Sequence, residues 1–345
     1  MILLVTPGDP SGIGPEITLS ALSKARLSKN TRVVCVGAAE PLERLGAKLR
    51  QISSLEEAAS GVFSRHEILV IPSPRRHRTL RPGPALEGFQ AGWAIQAATQ
   101  WVLAGKADAI VTGPINKLRL QRGGFPFPGH TEMLASICSQ QGKPLPVTMM
   151  LANERLRVSL ATTHVSIRKL PTALSRKAVQ QATAHTVAAL RNWWGVLKPR
   201  IAVCGLNPHA GEDGLFGNEE ARVISPALKA LRRRFKSRAE IIGPLPADTL
   251  FANHIGAEPG KSFDAVVCMY HDQGLIPVKL IDFYNTVNVS LGLPILRTSV
   301  DHGVAYDLVG TGRARPDSMI AALELAQSLV KKRTASKRKT KDARA

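Results

Sequence analysis

The sequence predicts an α/β protein built on mostly parallel sheets. Short, continuously apolar runs, typical of strands buried on both faces, alternate with longer segments in which apolar residues recur at helical spacing. The chain has 345 residues, of which 44% are hydrophobic and 5% aromatic. It is therefore long enough for two domains with aliphatic cores, and the strand–helix–strand alternation favours sheets covered by helices.

The first part of the chain shows this alternation most plainly. Strands are predicted over 2–6, 32–37, 67–72 and 108–112, and helices over 15–27, after Pro41 and over 85–104. Within the last helix, Trp93 and Trp101 are predicted to face the core. A helix is also predicted from Glu132 to about Gln141, with Thr131 as its N-cap and Gly142 as its end.

The motif GDPSGIGPE follows the first strand and supplies glycines at positions 8, 12 and 14. It is not a Walker loop, because no Gly-Lys-Ser/Thr follows, and it is not a complete GxGxxG fingerprint. We therefore expect a tight strand-to-helix turn here, and any dinucleotide must bind in another way.

Three later strands are each followed by a histidine. The apolar runs 156–162, 201–206 and 265–270 lead to His164, His209 and His271. In the third, Asp272 comes next and Gln273-Gly274 is predicted to turn the chain. A lone histidine is more often a surface or core residue, but parallel strands end at one edge, where three imidazoles can converge on one ion. These residues predict a divalent-metal site, and all-imidazole ligation favours zinc or cobalt over magnesium.

Three polar residues with apolar neighbours recur at nine-residue intervals after this point. They are Lys279, Asn288 and Arg297. Each alone is explained as an ordinary solvated or capping residue, but polar groups in apolar surroundings need a partner. Their position beside a strand-end histidine makes them candidates for binding a polar ligand.

The net charge of +20 raises the question of nucleic-acid binding. Residues 331–345 hold eight Lys or Arg and one Asp without apolar periodicity, so a disordered basic tail is predicted. The basic runs lack interleaved aromatic residues, so they predict no specific nucleic-acid site.

The first five residues of the sequence are apolar and are followed almost at once by Pro7, which predicts a strand rather than a signal peptide. No apolar run is long enough to span a bilayer, and the four cysteines form no CxxC pair. We therefore expect a cytoplasmic protein with no membrane association.

Many of these blocks together resemble the 4-hydroxythreonine-4-phosphate dehydrogenase family of vitamin B6 synthesis. The blocks, in the family's order, are GDPSGIGPE, GPINK, FPGHTE, GLNPHAGEDGLFGNEE, YHDQG, LGLP and RTSVDHG, with the spaced Lys279, Asn288 and Arg297. The resemblance extends from Met1 to about Leu329. It implies a two-domain α/β/α fold similar to isocitrate and isopropylmalate dehydrogenases, with an active-site cleft between the domains. The implied first domain spans 1–129 and 308–330, and the second spans 130–307.

The resemblance also implies roles for particular residues. His164, His209 and His271 would hold one divalent metal per subunit, zinc, cobalt or magnesium. Substrate binding would fall to the residues His130, Thr131, Lys279, Asn288 and Arg297. The stretch HGVAYDLVGTGRARP resembles the adenosine-binding end of the related dehydrogenases, which makes His302, Gly303 and Asp307 candidates for binding NAD or NADP. Lys279 or Asp272 could be the general base. The family's metal ligands come from both subunits of a homodimer.

Four functions remain open at this point. The resemblance favours NAD(P)-dependent oxidation of 4-hydroxythreonine 4-phosphate, and the alternative within the family is a dehydrogenase of 4-phosphothreonate or 4-phosphoerythronate. A three-histidine metallohydrolase would turn over without a dinucleotide. A polyanion-binding protein would lose its affinity with residues 331–345.

Overall fold

The computed structural model describes residues 1–63, 67–139, 142–258 and 260–342, with side chains described as far as 335. The chain divides into two compact units. Unit 1 comprises Met1–Val147 and Leu293–Val330, and unit 2 comprises Thr148–Gly292 with the chain from Lys331 on.

The described residues form twelve strands and twelve α-helices. The strands are β1 (Ile2–Thr6), β2 (Arg32–Gly37), β3 (Leu49–Gln51), β4 (Ile68–Pro72), β5 (Ala109–Thr112), β6 (Thr148–Ala152), β7 (Arg157–Leu160), β8 (Arg200–Cys204), β9 (Glu240–Leu245), β10 (Ala265–Cys268), β11 (Val287–Leu291) and β12 (Arg297–Ser299). The helices are α1 (Gly14–Lys24), α2 (Glu40–Arg44), α3 (Leu55–Ser60), α4 (Pro84–Leu103), α5 (Lys117–Arg122), α6 (His130–Ile137), α7 (Leu170–Ala173), α8 (Arg176–Asn192), α9 (Ser225–Phe235), α10 (Ala247–Ile255), α11 (His271–Ile281) and α12 (Asp317–Asp342).

Unit 1 is built on parallel strands in the order β3-β4-β2-β1-β5-β12. Residues 3–5 of β1 and 109–111 of β5 are buried and apolar throughout, as both faces of a covered parallel sheet require. Helix α4 packs on this sheet, and Trp93 and Trp101 lie partly buried against the core, which confirms their predicted orientation. At the sheet's end, Thr6 and Ser299 are both paired with Thr112.

Unit 2 has the strand order β11-β6-β7-β10-β8-β9. Strand β6 is antiparallel to both of its neighbours, β11 and β7, whereas β7, β10, β8 and β9 are parallel to one another. The predicted mostly parallel arrangement is confirmed. The three strands that precede the candidate metal-binding histidines, β7, β10 and β8, are therefore neighbours whose carboxyl ends share one edge.

The prediction that Gln273-Gly274 turns the chain is wrong, because both residues lie inside helix α11. The helix begins at His271 and continues through both residues to Ile281. The side chain of Gln273 accepts from Met269 N at 2.6 Å and donates to Gly205 O at 2.7 Å. A Cβ on Gly274 would lie 3.0 Å from the Cys268 sulfur, so glycine allows the helix to pack closely on β10 rather than forming a turn.

The predicted start and end of α6 are also wrong. Its N-cap residue is Gly129 rather than Thr131, and Thr131 lies in the first turn. The Gly129 carbonyl accepts from Met133 N, so the backbone begins the helix earlier than a side-chain cap at Thr131 would. The helix ends at Ile137, and Gln140 and Gln141 lie outside the described residues.

The chain after Lys331 is helical as far as Asp342, whereas a disordered tail was predicted. Lys, Arg and Ala are good helix formers, and here they extend a helix whose earlier residues Met319, Leu323 and Leu329 are anchored in a buried core. Residues 343–345 of the predicted tail lie outside the described residues.

The units also differ in their bounds from the predicted domains. Residues 130–147 and 293–307, which were expected in the second domain, lie in unit 1. The reason is packing: Met133 and Leu134 of α6 join the core of unit 1, and β12 pairs with β5. In the described part of the chain, no helix combines the length and apolar character that a bilayer span needs.

Candidate active-site residues

Arg297, the first residue of β12, is a buried cation in unit 1. It is 3% exposed, and its Nε and Nη2 donate to the Thr112 hydroxyl oxygen at 3.1 and 2.7 Å. Burial lowers the pKa of Arg297 to about 9, so the guanidinium is still protonated at neutral pH. A guanidinium offers a planar fork of donors, which matches a carboxylate or a phosphate. This residue can therefore bind an anionic group in a site that excludes water.

His130, the first residue of α6, is electrostatically coupled to Arg297. Burial, and then the positive charge of Arg297, lower the pKa of His130 well below 6.5, so its ring is neutral at pH 7. Its Nε2 is buried and has no hydrogen-bond partner within the described ranges. A buried ring nitrogen in this state is available to a ligand. Unit 1 thus couples two of the five predicted substrate-binding residues.

The other three predicted substrate-binding residues lie on different elements. Thr131 follows His130 in the first turn of α6. Lys279 lies in the last turn of α11, with its Nζ 5.4 Å from the centre of the Phe283 ring. Asn288 is half-buried on β11, where it is paired with Leu151 of β6. The three residues that are nine positions apart in the sequence therefore lie on three different elements: Lys279 on α11, Asn288 on β11 and Arg297 on β12.

Two of the three candidate metal ligands meet in unit 2. The ring centres of His164 and His271 are 5.6 Å apart. The parallel pairing of β7 with β10 explains this contact, because each histidine follows the carboxyl end of its strand. Imidazoles that share one zinc ion at nitrogen–metal distances near 2.0 Å hold their ring centres about 5 to 6 Å apart. The pair therefore fits the predicted metal.

Asp272 adds a further feature expected of a metal ligand's surroundings. Its Oδ1 lies 2.7 Å from Nδ1 of His271, which directs the other ring nitrogen, Nε2, away from this carboxylate. A carboxylate in this position fixes the ring orientation and raises the basicity of the ligating nitrogen. Both side chains are accessible from solution, with 35% of His271 and 68% of Asp272 exposed.

His209 lies in a loop of unusual backbone conformation after β8. It begins a run of six residues with positive φ, from His209 (φ 50°) to Gly214 (φ 98°). The Glu220 carboxylate holds the start of this loop by accepting from Leu206 N at 2.6 Å and Asn207 N at 2.8 Å. The His209 ring lies 5.9 Å from that of Phe216. Over the described ranges, no group of three His, Cys, Asp or Glu residues is placed to hold a metal within one chain.

The candidate dinucleotide-binding residues lie in an exposed segment of unit 1. His302, Gly303 and Asp307 are all exposed, and His302 Nδ1 lies 2.9 Å from Gly303 O. Asp307 lies in the short 3₁₀ helix Tyr306–Leu308. These groups face solution and are accessible to a ligand, and their role in binding the adenosine end of a dinucleotide stays a prediction.

Sequence reasoning missed Thr112. This residue closes the apolar strand β5, and its fully buried hydroxyl is the acceptor for the Arg297 guanidinium. A polar residue at the end of an otherwise apolar strand was the available signal. Its partner lies 185 residues away, so the sequence alone could not connect the two.

Comparison with known proteins gives consistent matches over nearly the whole chain. A family model described as "Pyridoxal phosphate biosynthetic protein PdxA" matches residues 28–326. The 4-hydroxythreonine-4-phosphate dehydrogenase of Desulfosudis oleivorans is 44% identical over 328 residues, which cover 93% of this chain and 94% of that protein. The D-threonate 4-phosphate dehydrogenase of Pectobacterium atrosepticum is 39% identical, covering 95% of this chain and 99% of that one.

A solved structure gives the same result for the fold. The crystal structure of a 4-hydroxythreonine-4-phosphate dehydrogenase from Klebsiella pneumoniae is similar with a TM-score of 0.83 and 40% identity, and the match covers 95% of this chain and 99% of that one.

Proposed function

Because this chain belongs to the PdxA family and is a dehydrogenase, we propose that it oxidises 4-hydroxythreonine 4-phosphate with NAD or NADP. The product would be 2-amino-3-oxo-4-phosphooxybutanoate, a β-keto acid that loses carbon dioxide to give 3-amino-2-oxopropyl phosphate for pyridoxal 5'-phosphate synthesis. The observation that carries this proposal is the 44% identity to a dehydrogenase of that name over 93% of the chain. The same proposal places the enzyme in the cytoplasm.

In this proposal the buried residues of unit 1 bind the anionic groups of the substrate. Arg297 supplies a protonated donor fork, and the neutral His130 supplies a ring nitrogen that lacks a protein partner among the described residues. Thr131, Lys279 and Asn288 complete the set by family resemblance. A buried cation binds phosphate or carboxylate more strongly than an exposed one, because less water screens it.

The remaining steps are proton and hydride removal from the substrate's secondary alcohol. A divalent metal, zinc, cobalt or magnesium, held by His164, His209 and His271 would supply a Lewis acid that lowers the pKa of the substrate hydroxyl. Bound NAD or NADP would supply the hydride acceptor. Lys279 or Asp272 could take the proton from the hydroxyl. Because the Asp272 carboxylate is occupied in orienting His271, we favour Lys279.

The direct test is a substrate panel. Purified enzyme with NAD or NADP and each divalent metal should reduce dinucleotide with 4-hydroxythreonine 4-phosphate at a kcat/KM at least about tenfold above that for 4-phospho-D-threonate. Relatives named D-threonate 4-phosphate dehydrogenase are 39 and 40% identical, so 4-phospho-D-threonate is the second candidate substrate. The reverse ratio would favour this second function. Metal-dependent hydrolysis without dinucleotide reduction would contradict both.

We further propose a homodimer in which each metal site draws on both subunits. The close pair His164 and His271 comes from one chain, so the third ligand, His209, would come from the partner. Mixing His209→Ala with His271→Ala, after dissociation and reassociation, should then restore about half the sites of each mixed dimer, because one site regains all three histidines. The measurement is dehydrogenase activity of dimers purified with two different tags.

The matched control is a mixture of His164→Ala with His271→Ala. Since these two residues are neighbours in one chain, neither site of such a mixed dimer regains both, and activity should stay absent. Recovery in the control mixture but not in the first would show that His164 and His271 of one chain contribute to two different metal sites. That result would contradict the assignment of His209 as the single ligand from the partner.

A further inference from the structure

Three sequence motifs that the proposed chemistry does not use meet in unit 1. They are GDPSGIGPE (8–16), GPINK (113–117) and HGVAYD (302–307). The first two interlock through their backbones: Asp9 N donates to Pro114 O at 2.9 Å, and a Cβ on Gly8 would lie 2.0 Å from that same oxygen. The glycine at position 8, with φ 94°, is therefore required by close backbone approach rather than by phosphate binding.

The Asp9 carboxylate is the centre of this arrangement. It is 2% exposed, and it accepts from the Tyr306 hydroxyl at 2.7 Å, from Arg119 Nη1 at 3.1 Å and from Ser11 N at 2.9 Å. A buried carboxylate with several donors is well compensated for its loss of hydration. Asp9 thus connects the first motif with the third, 297 residues away.

Tyr306 is held by further groups besides Asp9. The Arg119 guanidinium lies 4.7 Å from the centre of the Tyr306 ring, and Arg119 N donates to the side chain of Asn116 in the second motif at 3.0 Å. Arg119 is itself paired with Glu87 of α4. Burial, and then the hydrogen bond to Asp9, raise the pKa of Tyr306 to about 12, so the hydroxyl remains a donor throughout the working pH range.

The backbone around Tyr306 is held at two more points by the first motif. Ile13 N donates to Val304 O at 3.0 Å, and Gly310 N donates to the Glu16 carboxylate at 3.3 Å. Between them, Ala305 has φ 40° and ψ 60°, a left-handed conformation that is unfavourable for alanine and persists only where its surroundings impose it. The contacts on both sides of Ala305 provide that constraint.

We propose that Asp9 and Tyr306 are positioning residues that fix the segment 302–312 in the conformation that binds the dinucleotide. This inference rests on the proposed function and on the candidate role that the family resemblance gives to His302, Gly303 and Asp307, contact with the adenosine end of NAD or NADP. Among the contacts of the described residues given above, the network includes neither the substrate-binding residues nor His164, His209 and His271, so it should govern dinucleotide affinity without changing the chemical step. GDPSGIGPE then serves the dinucleotide indirectly, as the platform on which its binding segment is held.

The test uses the full-length enzyme carrying Tyr306→Phe or Asp9→Asn. Loss of the partly buried hydrogen bond between Tyr306 and Asp9 should raise the KM and the Kd for NAD or NADP about fivefold to tenfold, with kcat at saturating dinucleotide and the KM for substrate unchanged within about twofold. Dinucleotide Kd is measured by NADH or NADPH fluorescence titration. Trypsin cleavage after the exposed Arg313 gives a readout independent of nucleotide, and it should become faster in both variants.

The matched control is Asp317→Asn, which weakens the ion pair to Arg315 at 3.1 Å outside the Asp9–Tyr306 network. It should leave dinucleotide affinity and kcat as in the wild type. Faster cleavage of Tyr306→Phe with unchanged dinucleotide affinity would overturn the positioning role, and so would unchanged cleavage and unchanged affinity. If the wild type itself binds no dinucleotide, the proposed function fails first. Should Asp9→Asn misfold, Tyr306→Phe alone decides, because it only removes one oxygen.

Discussion

Replacing His271 or His164 with alanine should reduce kcat/KM by about 10³-fold or more, because a metal that polarises the substrate hydroxyl contributes several kcal/mol. The contact between the two rings, at 5.6 Å, is the structural basis for this expectation. Metal content after dialysis, measured by mass spectrometry, should fall in parallel. Both histidines are accessible to solvent, so far-ultraviolet circular dichroism should stay close to that of the wild type, and thermal unfolding should match when both proteins are stripped of metal.

The control for this loss is His77→Ala. His77 packs on the Phe89 ring at 4.5 Å in unit 1, outside the predicted metal ligands. It should keep both metal and activity. Retention of wild-type metal content and kcat/KM by His271→Ala would contradict the metal assignment.

Arg297→Met should lower kcat/KM by about 10³-fold while leaving the protein as stable as before or more stable. The first effect follows from losing a buried, charged hydrogen-bond fork for an anion, and Arg297→Lys should lose about 10²-fold, because it keeps the charge but not the fork. The second follows because removing a buried charge also removes its desolvation cost, which offsets the hydrogen bonds lost to Thr112. Steady-state kinetics and thermal unfolding of the same preparations measure the two effects separately.

Thr112 provides the companion measurement. Thr112→Val removes the oxygen that accepts from Arg297 at 2.7 Å but keeps the shape of the side chain. Its effect on kcat/KM should be smaller than that of Arg297→Met and in the same direction. If Arg297→Met were both inactive and strongly destabilised, the guanidinium would have a structural role instead of the proposed one.

The sequence predicted the strands well because buried parallel strands have a local signal. The predicted 2–6 and 32–37 match β1 and β2 residue for residue. Helix ends were less predictable, since they depend on tertiary contacts. Gly274 signalled a turn, but it is a point of close contact with Cys268 inside α11, and the Gly129 backbone, not the Thr131 side chain, begins α6. The short strand β3 was missed because it has little apolar character to distinguish it.

Among the candidate site residues, too, some contacts could be predicted from the sequence and others could not. That His164 and His271 approach each other followed from their equivalent positions after parallel strands. The coupling of His130 to Arg297 could not be derived from sequence, because it depends on how α6 and β12 pack within unit 1. The network around Asp9 was hidden for the same reason, since Asp9 and Tyr306 are 297 positions apart.

Unit 1 is made of two separate segments of the chain, so it cannot complete its fold on the ribosome until the second segment has been synthesised. Strand β5 is complete at Thr112, but its neighbour β12 begins at Arg297, 185 residues later. At about 5 to 20 residues per second, synthesis of that stretch takes about 10 to 40 s. During this time the edge of β5 lacks its partner, and an open edge is a template for wrong pairing. Residues 148–292 of unit 2 form one continuous stretch and emerge whole, so nascent unit 1 should depend on chaperones longer than nascent unit 2.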